Sequence, residues 1–275
     1  MVMIAIPVTL TKICANSDPE LIDNAMAQRM LAQLAWTLRQ EPSVRAIQLT
    51  VGGRSIGGGS GAVEVGLDVG AAFDPAGAEA TADLFALEKG RLLSGSVSDL
   101  TQTQGPFGAT GFRLRSVGVN LSGSQAAGVS HDGQRLWIAP VADPDARPRE
   151  VPLAAGDLLK PAWDFRDRVW VVAAGPNGAR VFVIDGKRQR EVQVRGISGR
   201  DVVHFLVSRD GSRFVAVIRG RQADRVVSAR VRYDGRGRLL GLNAGSVIPL
   251  DLSGTKRIKD LGWRTATTWS VLAAI

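Results

Sequence analysis

The sequence predicts a mainly β protein, in which a small α+β domain precedes an incomplete β-propeller of four-stranded antiparallel blades. Three observations predict this fold class. A stripe of apolar residues with helical period occurs near the N-terminus. Beyond Arg113, short apolar runs alternate with tight turn signals. Finally, the strand that follows such a turn recurs along the C-terminal part of the chain.

The chain begins with an apolar run that predicts a buried β-strand ending near Leu10. Ser17-Asp18-Pro19-Glu20 then predicts a helix start, because Ser caps, Pro fits the first turn, and Glu follows three residues after the cap. The helix should end by Glu41, since the residue before Pro42 avoids the α conformation. Its apolar stripe consists of Ile22, Met26, Met30, Leu34 and Leu38.

Two further strands complete the predicted α+β domain, which we place at residues 1–72. Ile47, Leu49 and Val51 alternate with polar residues, as in a half-buried strand. A glycine-rich loop at 57–61 precedes a second strand over 63–67. This loop is not followed by Lys or a helix start, so it does not indicate a phosphate-binding loop.

Residues 73–110 carry a weaker pattern and are predicted to connect the two domains. A short helix is possible over 80–87, and Gly105-Pro106-Phe107-Gly108 predicts a turn.

From residue 111 to 275 the pattern becomes that of an all-β domain. Each of five turn signals lies between two apolar runs and supplies residues that tolerate positive φ, as two-residue hairpin turns require. They are Asp132-Gly133, Asn177-Gly178, Asp185-Gly186, Asp210-Gly211 and Asp234-Gly235.

A repeat within this domain favours a propeller. The segments SHDGQRLWI (130–138), WDFRDRVWV (163–171), SRDGSRFVA (208–216) and WRTATTWSV (263–271) follow one another at about 44 residues on average, the length of a four-stranded blade. In this alignment Trp137, Trp170 and Trp269 are equivalent core residues. A β-sandwich remains an alternative. Because the chain ends within an apolar strand at 272–275, we expect the ring of blades to be incomplete.

Charge is distributed unevenly between the two halves of the chain. The formal net charge is +8, with −3 in residues 1–150 and +11 in residues 151–275. A basic half is typical of proteins that bind nucleic acid, an anionic membrane or wall polymer, or an acidic protein. The single cysteine, Cys14, excludes an intramolecular disulfide and a cysteine-based zinc site.

The sequence offers few residues for catalysis. It lacks a Gly-x-Ser-x-Gly elbow, and the Ser-x-x-Lys match at 253–256 is attributed to chance. His131 and His204 show no metal-ligand spacing. Asp164 and Asp167 alternate with arginines, which predicts a turn with exposed ion pairs. We therefore expect no enzyme activity, no catalytic residue, no cofactor and no metal.

One basic segment is the candidate partner-binding site. Arg219, Arg221, Gln222, Asp224 and Arg225 surround a glycine at a strand end, where arginines can hold a carboxylate or phosphate with paired hydrogen bonds. The alternative is a solvated hairpin with internal Arg–Asp pairing. A second basic cluster, at 187–190, fits a solvated face.

Several segments resemble the actinobacterial LpqB lipoproteins. They are LAQLAWTLRQEPSVRAIQLTVGG (31–53), GPFGATGFRLRSVGVNL (105–121), LLKPAWDFRDRVWVV (158–172), FLVSRDGSRFVAVIRGRQADRVV (205–227) and residues 256–275. The resemblance covers most of the chain and is specific, because a generic propeller repeat would not contain PAWDFRDRVW. Relative to the family, the chain is expected to be truncated at both ends and to lack the signal peptide and lipobox.

The resemblance implies a GerMN-type domain at 1–72 followed by a C-terminal propeller. It also implies export and a lipid anchor on the outer face of the cytoplasmic membrane. The implied partner is the extracytoplasmic domain of an MtrB-like sensor kinase of the MtrA–MtrB two-component system, which governs envelope and division functions. No catalytic residue and no nucleic-acid partner are implied. The alternative function is binding of anionic envelope polymers or lipid phosphates through a basic propeller face.

Overall fold

A computed structural model of the chain divides into two compact units, residues 1–77 and residues 78–275. Across these units the structure describes residues 6–9, 24–38, 46–51, 54–55, 63–64, 80–109, 111–153, 156–208, 211–234, 238–249, 257–263 and 269–274. The predicted helix start at 17–20 and the glycine-rich loop at 57–61 lie outside the described residues.

The first unit is an α+β arrangement, as predicted. Its elements are β1 (Ile6–Thr9), α1 (Asn24–Leu38), β2 (Ala46–Val51), β3 (Arg54–Ser55) and β4 (Val63–Glu64). Strand β1 pairs in parallel with β2, so α1 belongs to a β-α-β crossover. Strands β3 and β4 both pair antiparallel with β2.

Helix α1 has the predicted period, but the buried face is turned by about one residue. Ala27, Leu31 and Ala32 are buried, whereas Met30 and Leu34 of the predicted stripe are half-buried. Small alanines allow close helix packing, which the count of large apolar residues did not reveal. Within the described part of the chain, no helix is long and apolar enough to cross a membrane.

The second unit begins with a three-stranded antiparallel sheet formed by β5 (Leu84–Glu88), β6 (Arg91–Ser96) and β7 (Asp99–Gln102). The short helix predicted over 80–87 is therefore wrong. Lys89 and Gly90 adopt φ values of +49° and +82°, and this tight turn folds β5 back onto β6. Strand pairing thus overrides the helical propensity of the Leu, Ala and Glu residues.

The next sheet, blade 1, is a four-stranded antiparallel meander. Its strands are β8 (Leu114–Val119), β9 (Gln125–Ser130), β10 (Leu136–Pro140) and β11 (Arg149–Val151), which lie side by side in chain order. This arrangement is the one predicted for a propeller blade.

Blade 2 repeats the meander with an interrupted first strand. Its strands are β12 (Asp157–Leu158), β13 (Ala162–Trp163), β14 (Val169–Ala174), β15 (Arg180–Asp185) and β16 (Arg188–Val192). Both β12 and β13 pair with β14, so together they form the first position of the sheet.

Blade 3 repeats it with an interrupted last strand, and two further strands follow. The strands of blade 3 are β17 (Val202–Val207), β18 (Arg213–Ile218), β19 (Arg225–Tyr233), β20 (Leu239–Leu242) and β21 (Ser246–Ile248). Strands β22 (Arg257–Trp263) and β23 (Trp269–Ala274) form a two-stranded sheet, called partial blade 4.

Successive blades pack face to face. On β14, Val169 and Val171 belong to the apolar cluster shared with blade 1, whereas Trp170 and Val172 belong to the cluster shared with blade 3. Both faces of the strand are therefore buried, which explains its continuous apolar sequence. Burial of each such side chain contributes roughly 1.5–3 kcal/mol.

The first strands of neighbouring blades are themselves in contact: β13 contacts β8 and β17, and β17 contacts β22. Two tryptophans bond these strands together. Trp163 Nε1 donates to the carbonyl oxygen of Gly118 at 2.9 Å, and Trp263 Nε1 donates to that of Val207 at 2.9 Å. Sheets stacked in this way around their first strands form a propeller segment, so the predicted fold class is confirmed.

In blade 1 the predicted repeat was aligned with the wrong hairpin, one hairpin too late in the chain. The turn at Ser208 joins the first and second strands of its blade, but the turn at Ser130 joins the second and third. The equivalent of Ser208 in blade 1 is Asn120. The error arose because all three turns contain the same type of hydrogen bond and so resemble one another in sequence. In each, a side-chain oxygen accepts from the backbone N–H five residues later, and the acceptors are Asn120, Ser130 and Ser208. Trp137 is consequently not equivalent to Trp170.

The prediction of exposed ion pairs at Asp164 is also wrong. Asp164 and Arg168 are 1% and 3% exposed, and Asp164 Oδ2 accepts from Arg168 Nε at 2.8 Å. The same oxygen accepts from Trp170 Nε1 at 2.9 Å. These two donors compensate the carboxylate. Blade 3 covers the turn, since the Tyr233 ring lies 4.7 Å from the Arg168 guanidinium carbon, and the local sequence does not encode that contact.

A second aspartate–arginine pair in the same unit has an exposed arginine and a partly exposed aspartate, which permits a direct comparison. Changing Asp164→Asn keeps the shape but leaves the Arg168 charge buried without a counter-charge, so we expect a loss of about 3–5 kcal/mol in the free energy of unfolding. Asp234 pairs with Arg238 at the same sequence spacing, and the Arg238 side chain is 75% exposed. Asp234→Asn should therefore cost less than about 1 kcal/mol. Urea unfolding followed by tryptophan fluorescence measures both, and equal losses would contradict the assignment.

Candidate partner-binding site

The predicted partner-binding residues lie on the hairpin between β18 and β19. Ile218 pairs with Arg225, so residues 219–224 form the connection. Gly220 is required there, because a Cβ atom would lie 2.0 Å from the carbonyl oxygen of Ala223. The backbone N–H of Arg219 donates to the carbonyl oxygen of Asp201 at 2.7 Å, which ties the hairpin to the loop before β17.

Asp224 anchors the base of the hairpin. Its side chain is only 1% exposed, and its carboxylate accepts from Arg219 Nη1 at 3.2 Å and from Arg257 Nη1 at 3.0 Å. The backbone N–H of Ile258 donates to Asp224 Oδ2 at 2.8 Å. Since Arg257 and Ile258 begin β22, this carboxylate fixes partial blade 4 against blade 3.

The anchor separates the five predicted residues into two groups. Arg219 and Asp224 hold the hairpin in place through their ion pair. In contrast, Arg221, Gln222 and Arg225 are exposed. The internal Arg–Asp pairing that the sequence left as an alternative thus occurs at Arg219, and the exposed cations are those of Arg221 and Arg225.

Arg257 is the residue of this site that the sequence did not indicate. It lies 33 positions after Asp224 in the chain, and its Nη1 also donates to the carbonyl oxygen of Gly220 at 2.9 Å. Its role depends on the packing of partial blade 4 against blade 3, so no local motif reveals it. The only signal is indirect: Asp224 is the sole carboxylate among three arginines of the hairpin segment.

His204 lies close to the same seam between blade 3 and partial blade 4. Burial on β17 lowers its pKa below the ordinary value, and the nearby Asp260 carboxylate partly opposes this effect. A backbone hydrogen bond with Ile258 and the Asp224 carboxylate also favour the protonated form, whereas Arg219 disfavours it. The pKa of the imidazole is therefore set by opposing effects, of which burial is the largest.

The other residues singled out in the sequence lie apart from this hairpin. His131 is exposed on the β9–β10 turn, and residues 187–190 are exposed on the β15–β16 hairpin. The Ser-x-x-Lys match at 253–256 lies outside the described residues. Among the residues that the structure describes, no group of three or more His, Cys, Asp or Glu side chains could hold a metal ion.

The geometry suits recognition of an acidic surface. Arginine presents a planar fork of donors that matches a carboxylate, and the buried Asp224 orders the hairpin that carries Arg221 and Arg225. A hairpin ordered before binding loses less conformational entropy when a partner docks.

Comparison with known proteins places most of the chain against one family. The family model described as "Lipoprotein LpqB beta-propeller domain" matches residues 90–274. Lipoprotein LpqB of Thermobifida fusca (strain YX) is 25% identical over 285 residues, covering 88% of this chain and 44% of the relative. Lipoprotein LpqB of Mycolicibacterium smegmatis is 29% identical over 225 residues, covering 78% and 37% respectively. The chain thus spans less than half the length of these relatives.

Solved structures show weaker likeness. A chain of the nidogen/laminin complex matches with a TM-score of 0.46 at 9% identity, covering 65% of each chain. Kluyveromyces lactis Hsv2 with complete loop 6CD matches with a TM-score of 0.45 at 12% identity, covering 69% of this chain and 64% of that chain. The propeller assignment rests instead on the four-stranded sheets and the family match.

The anchoring role of Asp224 predicts a local effect on partial blade 4. Asp224→Asn should weaken both Arg pairs and destabilise β22 and β23 by about 1–3 kcal/mol. Hydrogen exchange of the amides at 257–263 should accelerate, while exchange at 169–174 in blade 2 stays unchanged. Asp157→Asn is the matched control, because Asp157 also pairs across a seam, with Arg115 at 2.7 Å, but is 52% exposed. Unchanged exchange at 257–263 would contradict the anchor.

The lowered pKa of His204 predicts a pH dependence of stability. Between the lowered folded value and about 6.5, the unfolded chain binds more protons than the folded chain, so the free energy of unfolding falls as pH decreases through this window. His204→Gln should therefore make the decline between about pH 7 and 5 shallower. Urea unfolding at several pH values measures it, with the exposed His131→Gln as control. A decline as steep in His204→Gln as in the parent would refute the prediction.

Proposed function

Since the chain belongs to the LpqB lipoprotein β-propeller family, we propose that it is part of a non-enzymatic, extracytoplasmic accessory protein of the cell envelope. Its relatives are lipoproteins, which supports a lipid-anchored location at the outer face of the cytoplasmic membrane. In this proposal the propeller docks on the extracytoplasmic domain of an MtrB-like sensor kinase and modulates signalling in envelope and division control.

One structural observation carries the docking proposal: the β18–β19 hairpin displays Arg221 and Arg225 on a base that Asp224 fixes. The exposed pair supplies two of the positive charges that make residues 151–275 basic. Complementary charge accelerates encounter with an acidic partner and sets the orientation of docking. A kinase domain with a carboxylate-bearing patch is the partner that this hairpin fits.

The proposal is tested by the affinity of the purified extracytoplasmic kinase domain for the full chain and for an Arg221→Ala/Arg225→Ala variant. Both arginines are exposed, so the variant should remain folded. We expect the dissociation constant to rise roughly tenfold or more, corresponding to about 1.4 kcal/mol or more. Binding should also weaken with added salt, because exposed charges are screened.

Arg195→Ala/Arg200→Ala is the matched control. These arginines are also exposed, on the loop after β16, so the control removes the same charge from another place. It should change the affinity less than twofold, a shift below about 0.4 kcal/mol. Equal weakening by both double variants would show unspecific charge attraction, and absence of binding by the folded, full-length protein would remove the kinase as partner.

A further inference from the structure

A second feature of the basic half is a groove between blade 2 and blade 3, distinct from the β18–β19 hairpin. Its volume is about 760 Å³, which is within the range of small-molecule sites. Five arginines and a single aspartate, Asp185, dominate its lining. The lining residues are Arg166, Arg168, Val183, Asp185, Arg188, Gln189, Arg190, Arg238 and Leu239.

Arg168 forms the floor of this groove and is incompletely satisfied. Its side chain is 3% exposed, and its Nε is bound by Asp164. Its guanidinium carbon lies 4.7 Å from the centre of the Tyr233 ring. Its Nη2, however, is buried and has no hydrogen-bond partner among the residues that the structure describes. A buried donor without a partner is unfavourable, and a hydrogen bond to an anionic ligand would relieve this penalty.

Arg190 is held across the groove by the protein backbone. Its Nη1 donates to the carbonyl oxygen of Leu239 at 2.8 Å, and its Nη2 donates to that of Leu240 at 3.1 Å. These bonds join β16 of blade 2 to β20 of blade 3. The guanidinium is therefore placed before any ligand arrives, which lowers the entropic cost of binding.

The groove carries an excess of positive charge. Asp164 neutralises Arg168. Asp234 neutralises Arg238, since Asp234 Oδ2 lies 2.6 Å from Arg238 Nε. Among the described residues, Arg166 and Arg188 have no ion pair, and Arg166 lies over the Phe165 ring at 5.2 Å. With Arg190, they exceed the single negative charge of Asp185.

We propose that this groove binds a phosphate group, either as free phosphate or as the phosphate of a lipid headgroup. One bidentate guanidinium satisfies a carboxylate. Here guanidinium groups approach from the β13–β14 turn and strand β16 of blade 2 and from the β19–β20 connection of blade 3, and a phosphate can accept from several directions at once. The alternative function considered from the sequence is binding of envelope phosphates by the basic half of the chain. In this proposal the groove is the site of that binding.

This proposal is independent of kinase docking, because the groove and the β18–β19 hairpin share no residue. The two can therefore fail separately. A groove variant should leave kinase affinity unchanged, and Arg221→Ala/Arg225→Ala should leave phosphate affinity unchanged.

The test is calorimetric titration of the full chain with inorganic phosphate, with acetate as the carboxylate comparison at equal ionic strength. The groove variant is Arg166→Ala/Arg188→Ala, which changes two exposed residues and spares the buried pair. The matched control is again Arg195→Ala/Arg200→Ala. We expect the parent and the control to bind phosphate equally, the groove variant to bind at least about tenfold more weakly, and acetate to bind more weakly than phosphate.

A second arm distinguishes the two sources of phosphate. Co-sedimentation with phosphatidylglycerol vesicles is compared with phosphatidylcholine vesicles for the same three proteins. If only the groove variant loses binding to phosphatidylglycerol vesicles, the ligand is the phosphate of the lipid headgroup. If the parent binds inorganic phosphate through the groove but binds no vesicles, the ligand is the free anion.

Three results would overturn the proposal. The first is a folded protein that binds neither inorganic phosphate nor anionic vesicles. The second is equal weakening by the groove variant and the control, which would show unspecific attraction. The third is acetate binding as tight as that of phosphate.

Discussion

The C-terminal unit depends on one constraint: its central strands bury both faces, so each sheet requires a neighbour on either side. Residues of β14 alternate between the cluster shared with blade 1 and the cluster shared with blade 3. Residues of β18 alternate in the same way, with Phe214 and Ala216 facing blade 2 and Val215 and Val217 facing partial blade 4. Isolated, such a sheet would expose two apolar surfaces, so the blades are stable only as a stack.

Apolar contact alone would not fix how one blade sits on the next, and the polar groups at the seams supply that register. Trp163 and Trp263 each bond the first strand of their sheet to the first strand of the preceding one. Asp164 and Asp224 are buried carboxylates with several donors apiece. Asp224 accepts from Arg257 and Ile258 of the next sheet, so a shifted stack would remove part of the compensation of this buried charge. Asp164 accepts from Arg168 and Trp170 of its own blade, and the Arg168 guanidinium carbon lies 4.7 Å from the centre of the Tyr233 ring of blade 3. A buried ion pair of this kind destabilises a misaligned stack more than it stabilises the correct one.

Local pattern predicted the elements whose causes are local. The strand at 46–51, the hairpin turns at Gly133, Gly178 and Gly186, and the blade meander all follow from alternation and turn residues. The failures share one physical cause, which is information carried by distant contacts. Strand β5 is a strand because β6 pairs with it, and the Asp224–Arg257 pair joins residues 33 positions apart. The repeat was misaligned in blade 1 because Asn120 and Ser130 form the same turn bond in successive hairpins.

The positive charge of residues 151–275 therefore has two different uses, which composition could not separate. Arginines next to a buried carboxylate, such as Arg168 and Arg257, stabilise the seams between blades. Arginines on hairpins or edges without such a partner, such as Arg188 and Arg221, keep their donors turned toward solvent. The position of the aspartates distinguishes these two groups of arginines. A guanidinium group next to a buried carboxylate pairs with it, whereas the other arginines stay exposed. The excess of arginine over acid in this half is thus the part of the charge available to ligands and partners, and the groove between blades 2 and 3 and the β18–β19 hairpin each present some of it.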